Sequence, residues 1–313
     1  MLHLRVVCPP ERTEEALTVL RAHAGTAHLI AHRGVAVSPP GDLIEADVAR
    51  EAADEIVDAL CALDLDHSGG ITLEAVDTAL SDAADAAEEA APGEGADAVV
   101  WQELLGRTGE ESRFNATFLA FLAIACLLAA VGVLTDSAVT IVGAMVVGPE
   151  FGPLAAIAVG LVLRRWDLVR QAGTALAIGF PVSMAVTFGV VLLGSVTGLF
   201  DVDTVVNNHQ VDFVYKVGPL SLVVALLAGA AGMLAMTSAK SAALVGVFIS
   251  VTTVPAAGYA MVAIVAGNWL RFLGSLGQLV VNLIGIVAAA AIVLMLRRRV
   301  QRSPSMERPL SRG

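Results

Sequence analysis

The sequence predicts an α-helical polytopic membrane protein with six spans, built as two inverted three-span repeats with broken helices. An N-terminal α+β ferredoxin-like cytoplasmic domain precedes the spans. Three observations predict this. The 313 residues are 56% hydrophobic, which puts the membrane class first. Charge divides along the chain: residues 1–111 hold 23 Asp/Glu against 6 Lys/Arg, and the remainder 7 against 13. The hydrophobic pattern divides at the same place, from short alternating runs to long unbroken ones.

The acidic part reads as alternating strands and helices. "LHLRVV" places Leu2, Leu4 and Val6 on one strand face, and "PERTEEALTVLRAHAG" is a helix that starts near Pro10 and stops at Gly25. "TAHLIAHRG" and "GDLIEADVA" are strands joined by the turn "SPPGD". "REAADEIVDALCAL" turns Ile56, Val57, Leu60 and Leu63 inward, and "GGITLEAV" supplies a fourth strand. The order β-α-β-β-α-β is ferredoxin-like. Within it, "DLDHSGGITLEA" imitates a calcium loop with Asp64, Asp66, Ser68, Gly69 and Ile71. Position 12, which needs a bidentate glutamate, is Ala75, and Glu74 falls one short. His28 and His32 share a strand face without forming a ligand set. The acidic balance argues against nucleic acid. Cys8, Cys61 and Cys126 are too few and too scattered for a disulfide or metal framework, so no cofactor is expected.

"SDAADAAEEAAPGEGAD" (81–97) reads as an acidic connector. The next segment sets Val99, Val100, Leu104 and Leu105 on one side beside Trp101, the pattern of a helix lying on a membrane surface. The expected division is a ferredoxin-like domain over 1–80, linker and surface helix over 81–116, six spans over 117–298 and a basic tail over 299–313.

Apolar runs at 118–134, 138–163, 172–199, 217–236, 241–266 and 276–296 are each long enough for a hydrocarbon core of ~30 Å. No apolar signal segment follows Met1. "RRWDLVR", "RRRVQR", Lys240 and Arg113 fall on one side; Asp136, Arg271 and the acidic loop over 201–216 fall on the other. The positive-inside rule then places both termini in the cytoplasm, with the bilayer in question the cytoplasmic membrane.

The two halves correspond at an offset of 103. Gly143 falls on Gly246, Val146 on Ile249 and Trp166 on Trp269, while Pro153 lies one place from the partner of Pro255. Three spans per half make the second half run inverted, and interrupted spans at matching positions point to a transporter-type site. The first interruption is "VVGPEFGP": Gly148, Pro149, Gly152 and Pro153 around Glu150. Glu150 lies twelve helical steps from Ala138, about 18 Å of rise and past the bilayer centre. A charge there costs at least ~2.5 kcal/mol, so it must face protein or water. The prolines remove donors and free carbonyls near Met145 and Pro149. Thr252 and Thr253 stand opposite this break by the repeat relation. Gln278 and Asn282 share one face of the sixth span, and Ser137, Thr140 and Asp136 open the second.

"LTDSAVTIVGAMVVGPEFGPLAAI", with "SGGITLEAVDTAL" and "VVWQELLGRTGEESRFNATFLAF", resembles the prokaryotic membrane family known as "domain of unknown function 389", over nearly the whole chain. The resemblance implies a cytoplasmic α/β domain followed by a hydrophobic multi-span domain, and no assigned reaction. It implies that the break itself is the shared element, since members often carry an uncharged residue where Glu150 stands.

The expected function is binding and translocation of a small solute, uncharged and polyhydroxylated or cationic. The expected solute-binding residues are Gly148, Pro149, Glu150, Gly152, Pro153, Thr252, Thr253, Pro255 and Asn282. The second reading is a membrane-anchored sensor or scaffold whose soluble domain binds an effector. No nucleophile–base pair, metal cluster or phosphate loop supports an enzyme. Sheet edges tied to a small span domain favour a homodimer.

Overall fold

The computed structural model describes residues 1–76, 78–91, 99–199, 218–238 and 252–302. The acidic loop over 201–216, Lys240, the start of the fifth apolar run with Gly246 and Ile249, and the tail from Ser303 lie outside the described residues. Two compact units emerge, one built on Met1–Leu104 and the other on Leu105–Met236 with the later helices up to Val300.

In the first unit, strands β1 (Leu2–Cys8), β2 (Thr26–Val37), β3 (Pro40–Val48) and β4 (Gly70–Ala75) form one sheet in the order β2-β3-β1-β4. All pairs are antiparallel. With α1 (Thr13–Ala22) after β1 and α2 (Arg50–Cys61) after β3, the chain follows the predicted β-α-β-β-α-β path. Alternation sends Leu2, Leu4, Val6 and Cys8 to the buried face, where Leu17 and Leu20 of α1 and Ile56 and Leu60 of α2 cover them. The calcium-like segment forms a one-turn helix, α3 (Leu65–Ser68), and runs into β4. There Glu74 pairs with His3 in the ladder, so this stretch is the strand its flank predicted and not an exit helix. His28 does not pair with His32. With His3 it clamps Asp47, at 2.7 Å and 2.8 Å, and its other nitrogen meets Ser81 Oγ at 2.8 Å.

Asp42 points into this core and is fully served. Thr13 Oγ1 donates to Oδ2 at 2.7 Å, Gly34 N–H to Oδ1 at 2.7 Å and Arg33 Nη1 to Oδ2 at 3.0 Å. These donors, the Gly34 amide foremost, hold the carboxyl below its ordinary value. They also fix the β2–β3 hairpin, where Gly34 takes φ +66°.

The connector is folded over its first half. Helix α4 (Asp82–Ala90), capped by Ser81 Oγ, buries Ala84 and Ala87, and Ala91 joins the core. Helix α5 (Trp101–Glu111) follows. Val99 and Val100 just before it and Leu104 within it are buried, and Val100 belongs to the core of the first unit. Asp54 Oδ1 accepts the N–H of Trp101 at 2.9 Å and so caps α5 from another helix. Burial is the main cause that pushes this carboxyl up to about 6; Asp58 adds to it, and the amides of Trp101 and Gln102 oppose it.

The second unit is helical: α6 (Ala116–Leu134), α7 (Ala138–Val147), α8 (Phe151–Leu163), α9 (Trp166–Val196), α10 (Pro219–Thr237), α11 (Thr253–Val265) and α12 (Trp269–Arg302). Among the described residues, α6, α9, α10 and α12 are long and apolar enough to cross a membrane. The α7–α8 pair, bent by 51°, makes a fifth if it counts as one span. The fifth expected span, over 241–266, is described only as α11, a shorter apolar helix. Start signals are local. Asn115 Oδ1 accepts from Phe118 N–H at 2.7 Å, and Ser137 Oγ from Thr140 N–H at 3.3 Å. Asp136, just before that cap, takes φ +49°.

Small residues let the helices close. A Cβ on Gly258 of α11 would stand 2.7 Å from both the Cys126 carbonyl oxygen and Ala129 Cβ of α6, and one on Gly179 of α9 would stand 2.9 Å from Phe118. Arg298 near the end of α12 donates to the Val162 carbonyl at 2.7 Å, which satisfies an orphan acceptor at the end of α8.

Candidate functional site

The site begins with a helix that stops in the apolar phase. Helix α7 ends at Val147, with Gly148 N–H donating to Ala144 O at 3.2 Å as its last turn closes. Pro149 has no N–H to continue the ladder, and the chain restarts at Phe151 with Glu150 as the residue before the new helix. Pro153 does not contribute to the break as the sequence suggested. It is the third residue of α8, inside the first turn, where no intrahelical donor is required. Pro255 occupies the same third position of α11. Proline alone is no breaker here: Pro181 lies inside α9, which continues through it.

Glu150 is 4% exposed. Its Oε1 accepts from Thr253 Oγ1 at 2.5 Å, across 103 residues of sequence. Thr253 is the first residue of α11 and fully buried, so one hydrogen bond joins the starts of two short helices. Oε2 has no hydrogen-bond partner among the described residues. The side chain folds back over Gly148, where an added Cβ would fall on Oε2 and 2.8 Å from Val254 Cγ2. Gly148 is thus required by the carboxylate, since its backbone, at φ −64° and ψ 127°, would admit any residue.

The neighbouring Thr252 faces the other way. Its Oγ1 accepts from Asn282 Nδ2 at 2.8 Å and stands 3.5 Å from Gln278 Nε2, and Gln278 Nε2 lies 3.3 Å from Asn282 Oδ1. Gln278 and Asn282 therefore share the α12 face expected from their spacing, and both are buried. Ser275, one turn earlier on that face, is also buried, with its hydroxyl unpartnered among the described residues. Sequence reasoning passed over Ser275, although the i, i+3, i+7 spacing of Ser275, Gln278 and Asn282 is a readable signal. Gln278 Oε1 is likewise unpartnered among the described residues. The arrangement offers carboxylate, hydroxyl and amide groups within an apolar unit, the composition of a polar-ligand site.

A cleft of about 450 Å³ reaches this break. Gly148, Pro149, Phe151 and Gly152 form one wall, and Arg107, Glu110, Glu111 and Arg113 line another part. Glu111 packs on Gly152, where an added Cβ would stand 2.7 Å from Glu111 Cβ; Arg107 Nε holds Glu111 Oε1 at 3.1 Å. These charged residues carried no sequence signal, because their place beside the break follows from helix packing alone. The structure thus joins Glu150 to Thr253, and Thr252 to Gln278 and Asn282. Gly148, Pro149 and Gly152 shape the cleft, while Pro153 and Pro255 serve helix starts. Ser137, Thr140 and Asn115 act as caps and partners of caps.

Asp64, Asp66 and His67 form an exposed group in the first unit with ligand atoms within 4.8 Å of one another. Each is an ordinary surface residue beside the short α3.

No curated protein and no solved structure matches the chain. A family match does exist, and it is narrower than the sequence motifs suggested, since Met1–Leu104 of the first unit lies outside it. Residues 145–288, which contain the break, Thr252, Thr253 and Asn282, match the family model described as "Domain of unknown function (DUF389)", and in this part the chain is similar to that family.

Proposed function

We propose that the membrane unit binds a small solute at the α7–α8 break and carries it across the cytoplasmic membrane. The observation that carries this reading is the buried Thr253–Glu150 hydrogen bond, which joins the start of the helix after the break to the start of a second short helix in an otherwise apolar unit. Discontinuous helices that meet in a membrane supply polar groups and backbone ends to a site that can be rearranged.

The unit is read as two inverted repeats making six spans, with both termini cytoplasmic. Support for the repeat comes from element lengths and turns. Helices α6 and α10 are each 19 residues, and α8 and α11 each 13. Trp166 and Trp269 open α9 and α12. The turns before them carry a left-handed residue, Arg164 and Gly267, and a matching bond, Arg165 N to Gly160 O at 2.8 Å and Asn268 N to Ala263 O at 2.9 Å. Each of these pairs of single residues is related by the 103-residue offset of the Glu150–Thr253 pair.

The solute class favoured is uncharged and polyhydroxylated, or cationic. Among the described residues the site presents one carboxylate with hydroxyls and amides, and no basic group bonds to Glu150. A homodimer is the favoured assembly, and the chain is read as a carrier and not an enzyme.

A ligand-dependent thermal-shift screen on the purified protein tests the reading. A solute whose stabilisation weakens in Glu150→Gln, Thr252→Val and Thr253→Val supports it. A shift that survives all three substitutions but disappears on removal of residues 1–95 moves binding to the soluble unit and favours a membrane-anchored sensor.

A further inference from the structure

We propose that Glu150 is the proton-carrying group of this site, loaded from the cleft beside α5 across Gly148. The inference rests on the solute-carrier reading for its purpose, but its geometry stands without any solute. Glu150 is buried, and one carboxylate oxygen is engaged by Thr253 while the other is unpartnered among the described residues. That free oxygen lies against Gly148 on the side where a side chain would project, and Gly148 is part of the cleft wall. The absent Cβ leaves the oxygen next to the one residue of the break that both holds it and borders the cleft.

Among the described residues the carboxylate has no cation against it. On α6, Cys126 is within electrostatic reach. On α11, the contacts are Thr253 and Val254. From α5, Glu111 rests on Gly152, two residues away, and Arg107 is committed to Glu111. Glu110 and Arg113 line the same cleft without a hydrogen bond to Glu150. Helix ends add direction. Oε2 folds back toward the C-terminal end of α7, where the last carbonyls lack intrahelical donors and carry partial negative charge. A proton on Oε2 turns it from an acceptor into a donor beside that partly negative helix end; loss of the proton leaves Oε1 as a stronger acceptor for Thr253. Proton uptake forms one O–H bond at Oε2 and returns the hydronium of the cleft to water. Loading therefore shifts Glu150 between the end of α7 and the start of α11, the two elements that must separate if the halves rock.

The test is an infrared pH titration of the full-length protein in liposomes, without solute and in K⁺ or Na⁺ buffer. The expected result, taken as the difference between wild type and Glu150→Gln so that Asp54 and the surface carboxyls cancel, is a protonated-carboxyl band that comes and goes reversibly with pH and keeps its midpoint when Na⁺ replaces K⁺. Glu110→Trp, which fills the cleft from an exposed position, should slow deuterium exchange into that band severalfold. A difference spectrum without such a band, a difference band constant at all pH values, or a midpoint that moves with Na⁺ overturns the proton assignment, the last in favour of a metal-cation ligand. Exchange unchanged by Glu110→Trp overturns the route. Because no solute is present, these outcomes are independent of the thermal-shift screen, and either reading can fail without the other.

Discussion

Asp42 and Glu150 are buried to nearly the same degree, 3% and 4% exposed, yet their surroundings treat them in opposite ways. Asp42, in the soluble unit, takes a backbone amide, a hydroxyl and a guanidinium. Glu150, in the membrane unit, takes the Thr253 hydroxyl and its own backbone amide and leaves Oε2 without a partner among the described residues. A carboxylate satisfied on both oxygens is a fastener, since folding has compensated its lost hydration. One left half-served inside an apolar unit has not been compensated, and such groups are drawn toward function. Burial alone does not separate these two roles; the count of donors does.

Substitution should expose the contrast most at Asp42. Asp42→Ala strands the Thr13 hydroxyl, the Gly34 amide and the Arg33 guanidinium, and should produce the largest loss of thermal stability in the soluble unit, read by circular dichroism. The pH dependence has a defined sign. The folded carboxyl lies below its ordinary value because Gly34, then Thr13, favour the anion. Its contribution is complete above the ordinary carboxylate range near ~4 and is lost as pH falls through the lowered value. Stability that stays flat on acidification in wild type but not in Asp42→Asn would contradict this assignment.

Gly148→Ala should have the next largest effect, now in the membrane unit. The new Cβ collides with Glu150 Oε2 and lies 2.8 Å from Val254, an overpacking cost of about 2 kcal/mol. Adding Glu150→Gly to the variant should recover much of that loss, because the obstacle is the carboxylate. If the double variant is no better than Gly148→Ala in a detergent-unfolding titration, the backbone and not Glu150 fixes this glycine.

Asp54 offers an intermediate case: a half-buried acid that caps α5 through the Trp101 amide. Its folded value, about 6, lies above the unfolded one. The unfolded chain therefore releases its proton first, and stability falls as pH rises from about 4 to about 6. Asp54→Asn keeps an acceptor for Trp101 and removes the charge. It should stabilise the α5 start at neutral pH by about 1 kcal/mol after solvent screening, and flatten that window in hydrogen exchange of α5.

The smallest effect is expected at Glu150 itself. Glu150→Gln should change stability by less than about 1 kcal/mol, because the amide retains an acceptor for Thr253 and adds donors for the carbonyls of α7. Thr253→Val should cost about 1 kcal/mol when Glu150 is present and less beside Glu150→Gln, a coupling read by a double-mutant cycle. If Glu150→Gln destabilises as strongly as Asp42→Asn, the comparison fails and Glu150 is a fastener too.

The soluble fold was legible in the sequence because its signals are local. Alternation in "LHLRVV" and "GDLIEADVA" sets which side chains face inward, and helix and turn residues separate the strands in the order the sheet uses. The place of the membrane break was legible for the same reason, since Gly148-Pro149 removes a backbone donor whatever surrounds it. The partnership of Glu150 with Thr253 was legible only as a spacing. Three other features were decided by tertiary structure. Proline position relative to a helix start makes Pro149 a break, Pro153 a first-turn residue and Pro181 a passenger, although all three look alike in an apolar run. The place of Val100 in the core of the first unit was set by packing, because an apolar stripe specifies burial and not the surface that buries it. The cleft at Gly148 and the unpartnered oxygen beneath it depend on how α5, α7 and α11 meet. Side-chain chemistry is written residue by residue, whereas the number of donors a buried group receives is set by packing between segments that the sequence does not place side by side.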